Sequence, residues 1–436
     1  MEPLQNKVWN RCNVGYAAPV AYLPRVADGV LTELLESMGA VLVEGPRGCG
    51  KTSTALQQAR SSIRLDRSPE RVQLAELDPA SLLIGDSPRL LDEWQLAPGL
   101  WNVIRHEIDD RQARGQFILS GSATPRDDVT RHSGAGRFER LRMRPMSLAE
   151  SGRSSSEVSL AGLRSVDRIS AASAVTYRDL AEEAVRGGWP GLLGATTRQG
   201  VLFNRSYVDD LCGTEIAVAS GVRHDATRLR RLVESVSRNL ACEATLRSLA
   251  ADVSGQDGTA DPKTIRVYLD ALDQVFGLDE LPAWSVALRS RSRLRTSAKL
   301  HLADPALACA SLGIGPDRLA ADPEYFGQVF ESMVIRDLRA LASSEFGRVY
   351  HYRDNTGLEV DAVIEYPEDG SWAACEVKLG ARHIVDAEAN LLRLRDERVD
   401  LDRVGRPAFL AVITGTEHAY TLSSGVHVIP LGVLGA

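Results

Sequence analysis

The sequence lacks the features that mark secreted and membrane-spanning proteins. Its six cysteines are scattered along 436 residues and none forms a CxxC pair, which argues against a zinc site and against a disulfide framework. The first residues, MEPLQNKVWNRCNVGY, contain no apolar segment of a signal peptide, and no later stretch reaches about 18 uninterrupted apolar residues. We therefore expect a cytoplasmic protein with no membrane association.

An excess of basic residues is also missing. Lys and Arg number 51 against 58 Asp and Glu, which gives a net charge of −7 and an isoelectric point near 5.7. The molecule as a whole is therefore not an electrostatic binder of nucleic acid, and only a local basic face would allow such binding. The hydrophobic fraction of 44% is that of a folded globular protein, and the length predicts roughly two to four domains.

Hydrophobic periodicity divides the chain into three predicted domains. Strand and helix patterns alternate over residues 1–174, which predicts a parallel α/β sheet, and the Ser-, Arg- and Gly-rich stretch at 151–174 marks its end. Residues 175–294 are mostly helical in pattern. Within them, 244–281 is typical of helix, turn, helix and a short strand, which suits a winged helix. Residues 295–436 return to an α/β pattern.

The most specific motif is GPRGCGKT at residues 45–52, which fits GxxxxGK[ST] at each fixed position and lies between an apolar strand and a helix. The glycines let the backbone wrap around phosphate oxygens, and the N–H groups with the following helix N-terminus form an anion site. We expect Lys51 to reach the β and γ phosphates of ATP, and Thr52 to hold Mg²⁺. The predicted nucleotide-binding residues are Gly45, Pro46, Arg47, Gly48, Cys49, Gly50, Lys51, Thr52, Ser53 and Ser120.

Acidic residues follow a second apolar strand, in LLDEWQ at residues 90–95. Asp92 is expected to bind Mg²⁺ and Glu93 to polarise the attacking water. Two adjacent carboxylates alone would better fit a solvated loop, but the phosphate loop upstream reverses that preference. Ser120, at the end of the next strand, either contacts the γ-phosphate or orients water, or is a plain strand-to-turn serine.

A candidate arginine finger lies in SGAGRFER. Arg137, beside a glycine, would stabilise transition-state charge within one subunit or between subunits. Arg131 and Arg140 compete for this role, and each arginine taken alone better fits a surface residue. A finger that acts between subunits would require a homo-oligomer.

A second predicted site lies in the C-terminal domain. Asp361 on EVDAVIE is followed by Glu376 and Lys378 on CEVKL, and strand alternation places the last two on one face. Together with Glu331 on the preceding helix, the carboxylates Asp361 and Glu376 would hold Mg²⁺ while Lys378 positions water. An alternating charged strand is more commonly a half-solvated edge, so both interpretations remain open.

A basic strip precedes this domain at residues 287–301. Such a strip suits contact with the phosphate backbone of DNA, and a solubilising linker is the alternative. Its basic residues are Arg289, Arg291, Arg293, Arg295 and Lys299.

These motifs resemble a bacterial and archaeal family of AAA-like ATPases that carry a C-terminal domain of uncharacterised function. The resemblance implies an ATPase core, a winged-helix-like middle and a C-terminal domain similar to PD-(D/E)xK nucleases, with Val360 in place of the proline. Trp94 and Trp189 depart from the expected pattern. The segments that carry the match are YLPR, GPRGCGKT, LLDEWQLAP, FILSGSA, AGR, RPMSLAE, GGWPG, FESMVIRDL, GLEVDAVIE and CEVKLG.

Two functions are compatible with these patterns. The first is an ATP-hydrolysing protein that couples ATP to DNA binding or processing through the C-terminal domain. The alternative is a nucleotide-gated regulatory protein whose C-terminal domain binds a partner without cleaving nucleic acid.

Overall fold

The computed structural model describes residues 22–123, 134–217, 224–254, 261–285 and 297–436. Within these ranges, none of the helices combines the length and the apolar character needed to cross a bilayer.

The first part of the chain is an α/β domain built on a five-stranded sheet, in the order β2-β3-β4-β1-β5. Its strands all pair in parallel, which confirms the predicted parallel sheet. The strands are β1 (Ala40–Glu44), β2 (Ser61–Arg64), β3 (Arg89–Asp92), β4 (Phe117–Gly121) and β5 (Phe138–Arg142), and the helices are α1 (Val26–Ser37), α2 (Lys51–Gln58), α3 (Pro69–Leu77) and α4 (Leu100–Arg111).

Helices cover both faces of this sheet. Successive side chains of β1 point to opposite faces, so each face has apolar residues that a helix must cover. Ala40 and Leu42 join the core that contains α4, whereas Val41 and Val43 join the core with α1 and α2. The apolar residues of α1 recur at helical spacing and supply its buried stripe. In a parallel sheet the carboxyl ends of the strands meet at one edge, and ligands bind there.

The middle of the chain is helical, as its pattern predicts. Residues 278–281, after the second helix of the expected winged helix, form only isolated bridges with residues 299–302, and the winged helix stays a prediction. The helices are α5 (Tyr177–Arg186), α6 (Thr197–Asp210), α7 (Ala226–Arg238), α8 (Leu246–Ser254), α9 (Pro262–Gln274), α10 (Pro305–Ser311) and α11 (Pro316–Ala320).

The C-terminal part begins with the longest described helix, α12 (Pro323–Ala342). Asp322 caps it by accepting the backbone N–H of Tyr325, and Pro323 occupies its first turn, the position that tolerates proline. The elements that follow are β8 (Arg348–Arg353), β9 (Glu359–Glu365), β10 (Trp372–Lys378), α13 (Ile384–Arg393), α14 (Leu401–Val404), β11 (Leu410–Thr414), β12 (His418–Thr421), β13 (His427–Pro430) and β14 (Leu434–Gly435).

Six of these strands, β8 to β13, form a mixed sheet together with the earlier strand β7 (Ser170–Ala172), in the order β7-β12-β13-β11-β10-β9-β8. Strands β8, β9 and β10 make an antiparallel meander, and β11 lies parallel to β10. Two short strands come from the predicted first domain: β6 (Val158–Ser159) pairs with β14 and β7 (Ser170–Ala172) pairs with β12. Residues 158–172 therefore pack with the C-terminal sheet, although the sequence analysis assigns them to the first domain.

Candidate functional site

The glycine loop follows β1 at the carboxyl edge of the parallel sheet. Gly45 has a φ of +151°, and a Cβ there would lie 2.2 Å from the carbonyl oxygen of Met143. Gly50, with a φ of +106°, is the N-cap of α2. Glycine adopts these left-handed conformations without a steric penalty, so the residue pattern of the motif matches the backbone that it must form.

Lys51 closes the loop in this structure. Its side chain is buried, and its Nζ donates to the carbonyl oxygens of Gly45 at 2.8 Å and Pro46 at 2.9 Å. These partners hold the ammonium group inside the loop, at the position where the sequence analysis expects phosphate.

Asp92 ends β3 and brings three polar side chains together. Its Oδ1 accepts from the Thr52 hydroxyl at 2.8 Å and from the Ser120 hydroxyl on β4, while its Oδ2 accepts from Arg64 Nε at 3.0 Å. Carboxylate and hydroxyl oxygens are ligands that Mg²⁺ prefers. The buried Asp92 carboxylate and the adjacent Thr52 hydroxyl thus fit a Mg²⁺ ion.

Arg64 is a functional candidate that the sequence analysis did not identify. It is the last residue of β2, next to β3, and its side chain is 39% exposed. The sequence does contain an arginine at a strand end, but its proximity to Asp92 depends on the strand order.

Glu93 turns away from the strand immediately after Asp92. Its φ of +58° lies in the left-handed region, which is uncommon for a residue other than glycine and occurs often at functional sites. Gln95 Nε2 donates to its Oε2 at 2.5 Å, and the Ser122 hydroxyl lies 3.5 Å from the same oxygen. The turn and these partners fix the orientation of the Glu93 carboxylate.

Arg137 lies at the opposite edge of the sheet from the glycine loop. Its carbonyl accepts the backbone N–H of Ala40 at the start of β1, and its guanidinium pairs with Asp109 at 2.9 Å. The length of β1, about 3.3 Å per residue, separates this end from the loop. A role within one subunit therefore does not fit Arg137, and a role between subunits and a plain surface position remain as the alternatives.

The two competing arginines differ in position. Arg140 pairs with Glu44 at 2.6 Å, immediately before the loop, and its side chain is exposed. Arg131 lies outside the described residues.

Arg25, in the YLPR segment, forms a hydrogen bond with the backbone of the glycine loop. Its Nη1 donates to the carbonyl of Cys49 at 2.8 Å, its Nη2 to the carbonyl of Arg144 at 2.9 Å, and its Nε to Glu150 Oε1 at 2.9 Å. Burial raises the pKa of Glu150, but Arg25 and two backbone N–H groups outweigh it and hold that pKa below its usual value. This buried pair fixes the backbone of the glycine loop.

A cleft of about 470 Å³ opens beside the loop. Its lining includes Tyr22, Leu23, Leu56 and Pro190. The preceding residue, Trp189, is buried and donates its indole N–H to Asn204 on α6 at 2.8 Å. The GGWPG segment therefore connects the middle helices to the rim of the loop.

The predicted residues of the C-terminal site also lie together. Lys378 Nζ lies 3.1 Å from Asp361 Oδ2 and 2.5 Å from Glu376 Oε2. Asp361 Oδ2 accepts the backbone N–H of Val377 as well, and Asn390 on α13 donates to Glu376 Oε1 at 3.2 Å. The side chains of β9 and β10 are thus joined by hydrogen bonds on one face.

A second ammonium group, that of Lys299, lies among these carboxylates. Its Nζ is 2.8 Å from Glu331 Oε1, 3.0 Å from Glu359 Oε1 and 3.5 Å from Asp361 Oδ1. Lys299 is 2% exposed, so the expectation that it contacts DNA phosphates is wrong. The arginines of the same strip lie outside the described residues.

The carboxylates of this cluster titrate differently. Burial, with the nearby charge of Asp361, raises the pKa of Glu331 to about 7. Burial also raises the pKa of Glu376, to well above its usual value. For Asp361, Lys378 and Lys299 outweigh burial and lower the pKa to about 2. The pKa values of these buried carboxylates are therefore shifted in opposite directions.

The C-terminal cluster does not fit the Mg²⁺ ion that the sequence analysis assigns to Glu331, Asp361 and Glu376. Each of these carboxylates already accepts a hydrogen bond from a lysine ammonium group. Across the described ranges, no group of three or more His, Cys, Asp and Glu side chains is arranged to hold a metal ion.

Three parts of the chain match models of known protein domains. Residues 37–152 match the model of an AAA domain, which supports an AAA-like P-loop ATPase domain in this part of the chain. Residues 177–318 and 326–434 match two domains of unknown function, DUF8612 and DUF4143.

Two curated relatives align over nearly the whole chain. The uncharacterized proteins Rv2008c of Mycobacterium tuberculosis and Mb2031c of Mycobacterium bovis are each 26% identical over 417 residues, which cover 93% of this chain and 83% of theirs. Among solved structures, the Walker-type ATPase PABY2304 of Pyrococcus abyssi is 13% identical with a TM-score of 0.41, covering 67% of this chain and 96% of that one. The Drosophila ORC bound to DNA is 12% identical with a TM-score of 0.22, covering 71% and 97%.

Proposed function

We propose that this chain binds ATP with Mg²⁺ in the glycine loop and hydrolyses it. The observation that carries the proposal is the hydrogen-bonded set of Thr52, Asp92 and Ser120 beside the loop, at the carboxyl edge of a parallel sheet. The match of residues 37–152 to an AAA domain supports it. A nucleotide phosphate needs the N–H groups and cations of such a loop, and its metal needs the adjacent oxygens.

The residues have distinct roles in this mechanism. Lys51 would exchange its two loop carbonyls for the β and γ phosphates, and Thr52 and Asp92 would hold Mg²⁺, which would neutralise phosphate charge when bound. Glu93 accepts a proton from the attacking water, and Gln95 keeps its carboxylate oriented. Ser120 keeps the Asp92 carboxylate directed at the metal position.

The cleft beside the loop is suited to the adenine base. It adjoins Gly50 and Ser53 at the start of α2. Its lining includes the aromatic and apolar side chains of Tyr22, Leu23 and Leu56, against which a flat ring can pack. The base would then lie next to Pro190, which places the middle helices in contact with bound nucleotide.

Phosphate release from ATP tests this proposal. Lys51→Ala should abolish hydrolysis by removing phosphate binding. Glu93→Gln should bind ATP as wild type does and hydrolyse it about 10²–10⁴-fold more slowly, the usual loss on removing a general base. Glu36→Gln, which alters an exposed carboxylate on α1, is the matched control. Equal hydrolysis in all four proteins would contradict the assigned roles.

We propose that the C-terminal domain has the chain path of a nuclease fold. We also propose that this domain binds a partner and that the ATPase domain controls the binding. The succession of α12, the β8–β9–β10 meander, α13 and the parallel strand β11 supports this path, because it brings Glu331, Asp361 and Glu376 to one face. DNA is the first partner to test, and a protein partner is the alternative. Fluorescence anisotropy with labelled DNA, measured with and without ATP, tests whether DNA is the partner. Absence of DNA binding under both conditions would remove the nucleic-acid role.

A further inference from the structure

We propose that Lys299 is a built-in cation that takes the place of a divalent metal ion in the C-terminal acidic cluster, so that this domain functions without a bound metal. The cluster is defined as Lys299, Glu331, Glu359, Asp361, Glu376 and Lys378. The inference rests on the nuclease-like chain path proposed above and is independent of ATP hydrolysis.

The position of the Lys299 ammonium group is the first support. Three carboxylates surround it, one from α12 and two from β9, at 2.8, 3.0 and 3.5 Å. Its backbone is fixed by two hydrogen bonds with Leu281, at 2.9 and 3.0 Å. The lysine therefore does not depend on a flexible backbone to reach the centre of the cluster.

The burial of Lys299 is the second support. The residue is 2% exposed, and its ammonium group has three carboxylates within 3.5 Å. A divalent ion at the same place would be repelled by the ammonium group at short range in a poorly solvated site, and would have to displace three existing ion pairs.

The carboxylates of Asp361 and Glu376 have further partners. Lys378 bonds to both Asp361 and Glu376, and Asn390 donates to the other oxygen of Glu376. Two ammonium groups, those of Lys299 and Lys378, face four carboxylates, and each carboxylate lies within 3.5 Å of at least one of them. The carboxylates of the cluster are thus held in an ion-pair network around ammonium groups.

Counting bound Mn²⁺ tests the proposal, with free Mn²⁺ measured by electron paramagnetic resonance on the nucleotide-free full-length chain. Wild type and Asp361→Asn should bind equal amounts of Mn²⁺. Any ion held near Asp92 is present in both proteins and therefore does not affect this comparison. Lys299→Met should gain one Mn²⁺ per chain, and the double variant Lys299→Met/Asp361→Asn should lose it again. Lys263→Met, which removes an exposed lysine on α9, is the matched control and should behave as wild type.

Thermal unfolding provides a second measurement. Lys299→Met should melt at a lower temperature than wild type and regain stability when Mn²⁺ is added, whereas Lys263→Met should show neither effect. If Lys299→Met does not fold, the comparison of Mn²⁺ binding between wild type and Asp361→Asn decides alone. Equal Mn²⁺ binding by wild type and Asp361→Asn supports the proposal, and Mn²⁺ binding by wild type that Asp361→Asn abolishes overturns it.

Two other outcomes separate this inference from the proposed function. Cleavage of DNA by wild type with Mn²⁺, lost in Asp361→Asn, would overturn the inference while leaving a nuclease-like domain. A folded Lys299→Met that gains no Mn²⁺ would also overturn it. Failure of the chain to hydrolyse ATP or bind DNA, with the Mn²⁺ results as expected, would contradict the proposed function alone.

Discussion

Replacing Arg25 with Met should destabilise the protein and weaken its affinity for ATP by two separable routes. The guanidinium is buried between Glu150 and the carbonyls of Cys49 and Arg144. Removing it leaves the Glu150 carboxylate buried without a cation, which costs about 3–5 kcal/mol for a broken buried ion pair. It also leaves the Cys49 carbonyl without its charged donor. One such hydrogen bond contributes about 1.5–3 kcal/mol, so ATP affinity should fall about tenfold or more.

A second variant separates these routes. Arg25→Met/Glu150→Gln removes the orphaned charge while keeping one acceptor oxygen, which can serve the backbone N–H of either Val26 or Ser147 but not both. It should recover part of the lost stability in urea unfolding, but not the ATP affinity, because Cys49 still lacks its donor. A single variant within about 0.5 kcal/mol of wild type, the range of surface substitutions, would refute this reasoning. So would a double variant as unstable as the single one.

The pH dependence of the same pair has a defined sign. The pKa of Glu150 is held low in the folded protein, whereas a glutamate in the unfolded chain titrates near about 4.3. The folded state therefore binds fewer protons, and the stabilisation is complete above that pH and is lost as the pH falls below it. Arg25→Met should show a smaller loss of folding stability as the pH falls below about 4.3.

The remaining predictions concern two arginines and one histidine. Arg64→Ala should slow ATP hydrolysis at every protein concentration because Arg64 contacts Asp92 within one chain. Arg137→Ala should slow it only where subunits associate, so a loss that persists on dilution would contradict its placement at the opposite edge. Burial lowers the pKa of His301 to about 3, while an unfolded histidine titrates near about 6.5. The His301 ring thus binds fewer protons in the folded than in the unfolded state, and its contribution to stability should fall by about 1.4 kcal/mol per pH unit as the pH drops below that value. Glu331, whose pKa is raised, contributes with the opposite sign in this range, so the test compares two slopes. Urea unfolding of wild type and His301→Asn between neutral pH and about pH 5 should give slopes that differ by this amount, and equal slopes would rule out the assignment.

The parts of the molecule that sequence patterns predicted are those determined by neighbouring residues. The glycine loop needs its own backbone conformations and the helix that follows, and both are encoded between Gly45 and Ser53. The AAA-like domain and its parallel sheet are confirmed for the same reason, since strand and helix alternate at short range. The approach of Thr52, Asp92 and Ser120 followed from the rule that parallel strands end at one edge.

The parts that sequence patterns missed depend on contacts between distant segments. Arg25 reaches Glu150, 125 positions away, and no local pattern distinguishes such an arginine from a surface one. Lys299 belongs to a basic strip in the sequence, but the fold buries it against α12 and β9. The misplaced residues 158–172 form strands of two and three residues, which are too short to show an alternating pattern.

The long helix α12 contacts the C-terminal acidic cluster and also the segment around Leu148, which suggests a route by which the two predicted sites would be coupled. Near its middle Glu331 receives Lys299, and about two turns later Asp337 accepts the backbone N–H of Leu148 at 2.9 Å. Leu148 lies in the segment that Arg25 joins to the glycine loop. A helix of 20 residues moves as a rigid element, so a shift of the loop on nucleotide binding would reach Glu331 through α12. Nucleotide should therefore change the hydrogen-exchange protection of α12 in wild type, and Arg25→Met should reduce that change. Equal changes in both proteins would mean that Arg25 is not on the route.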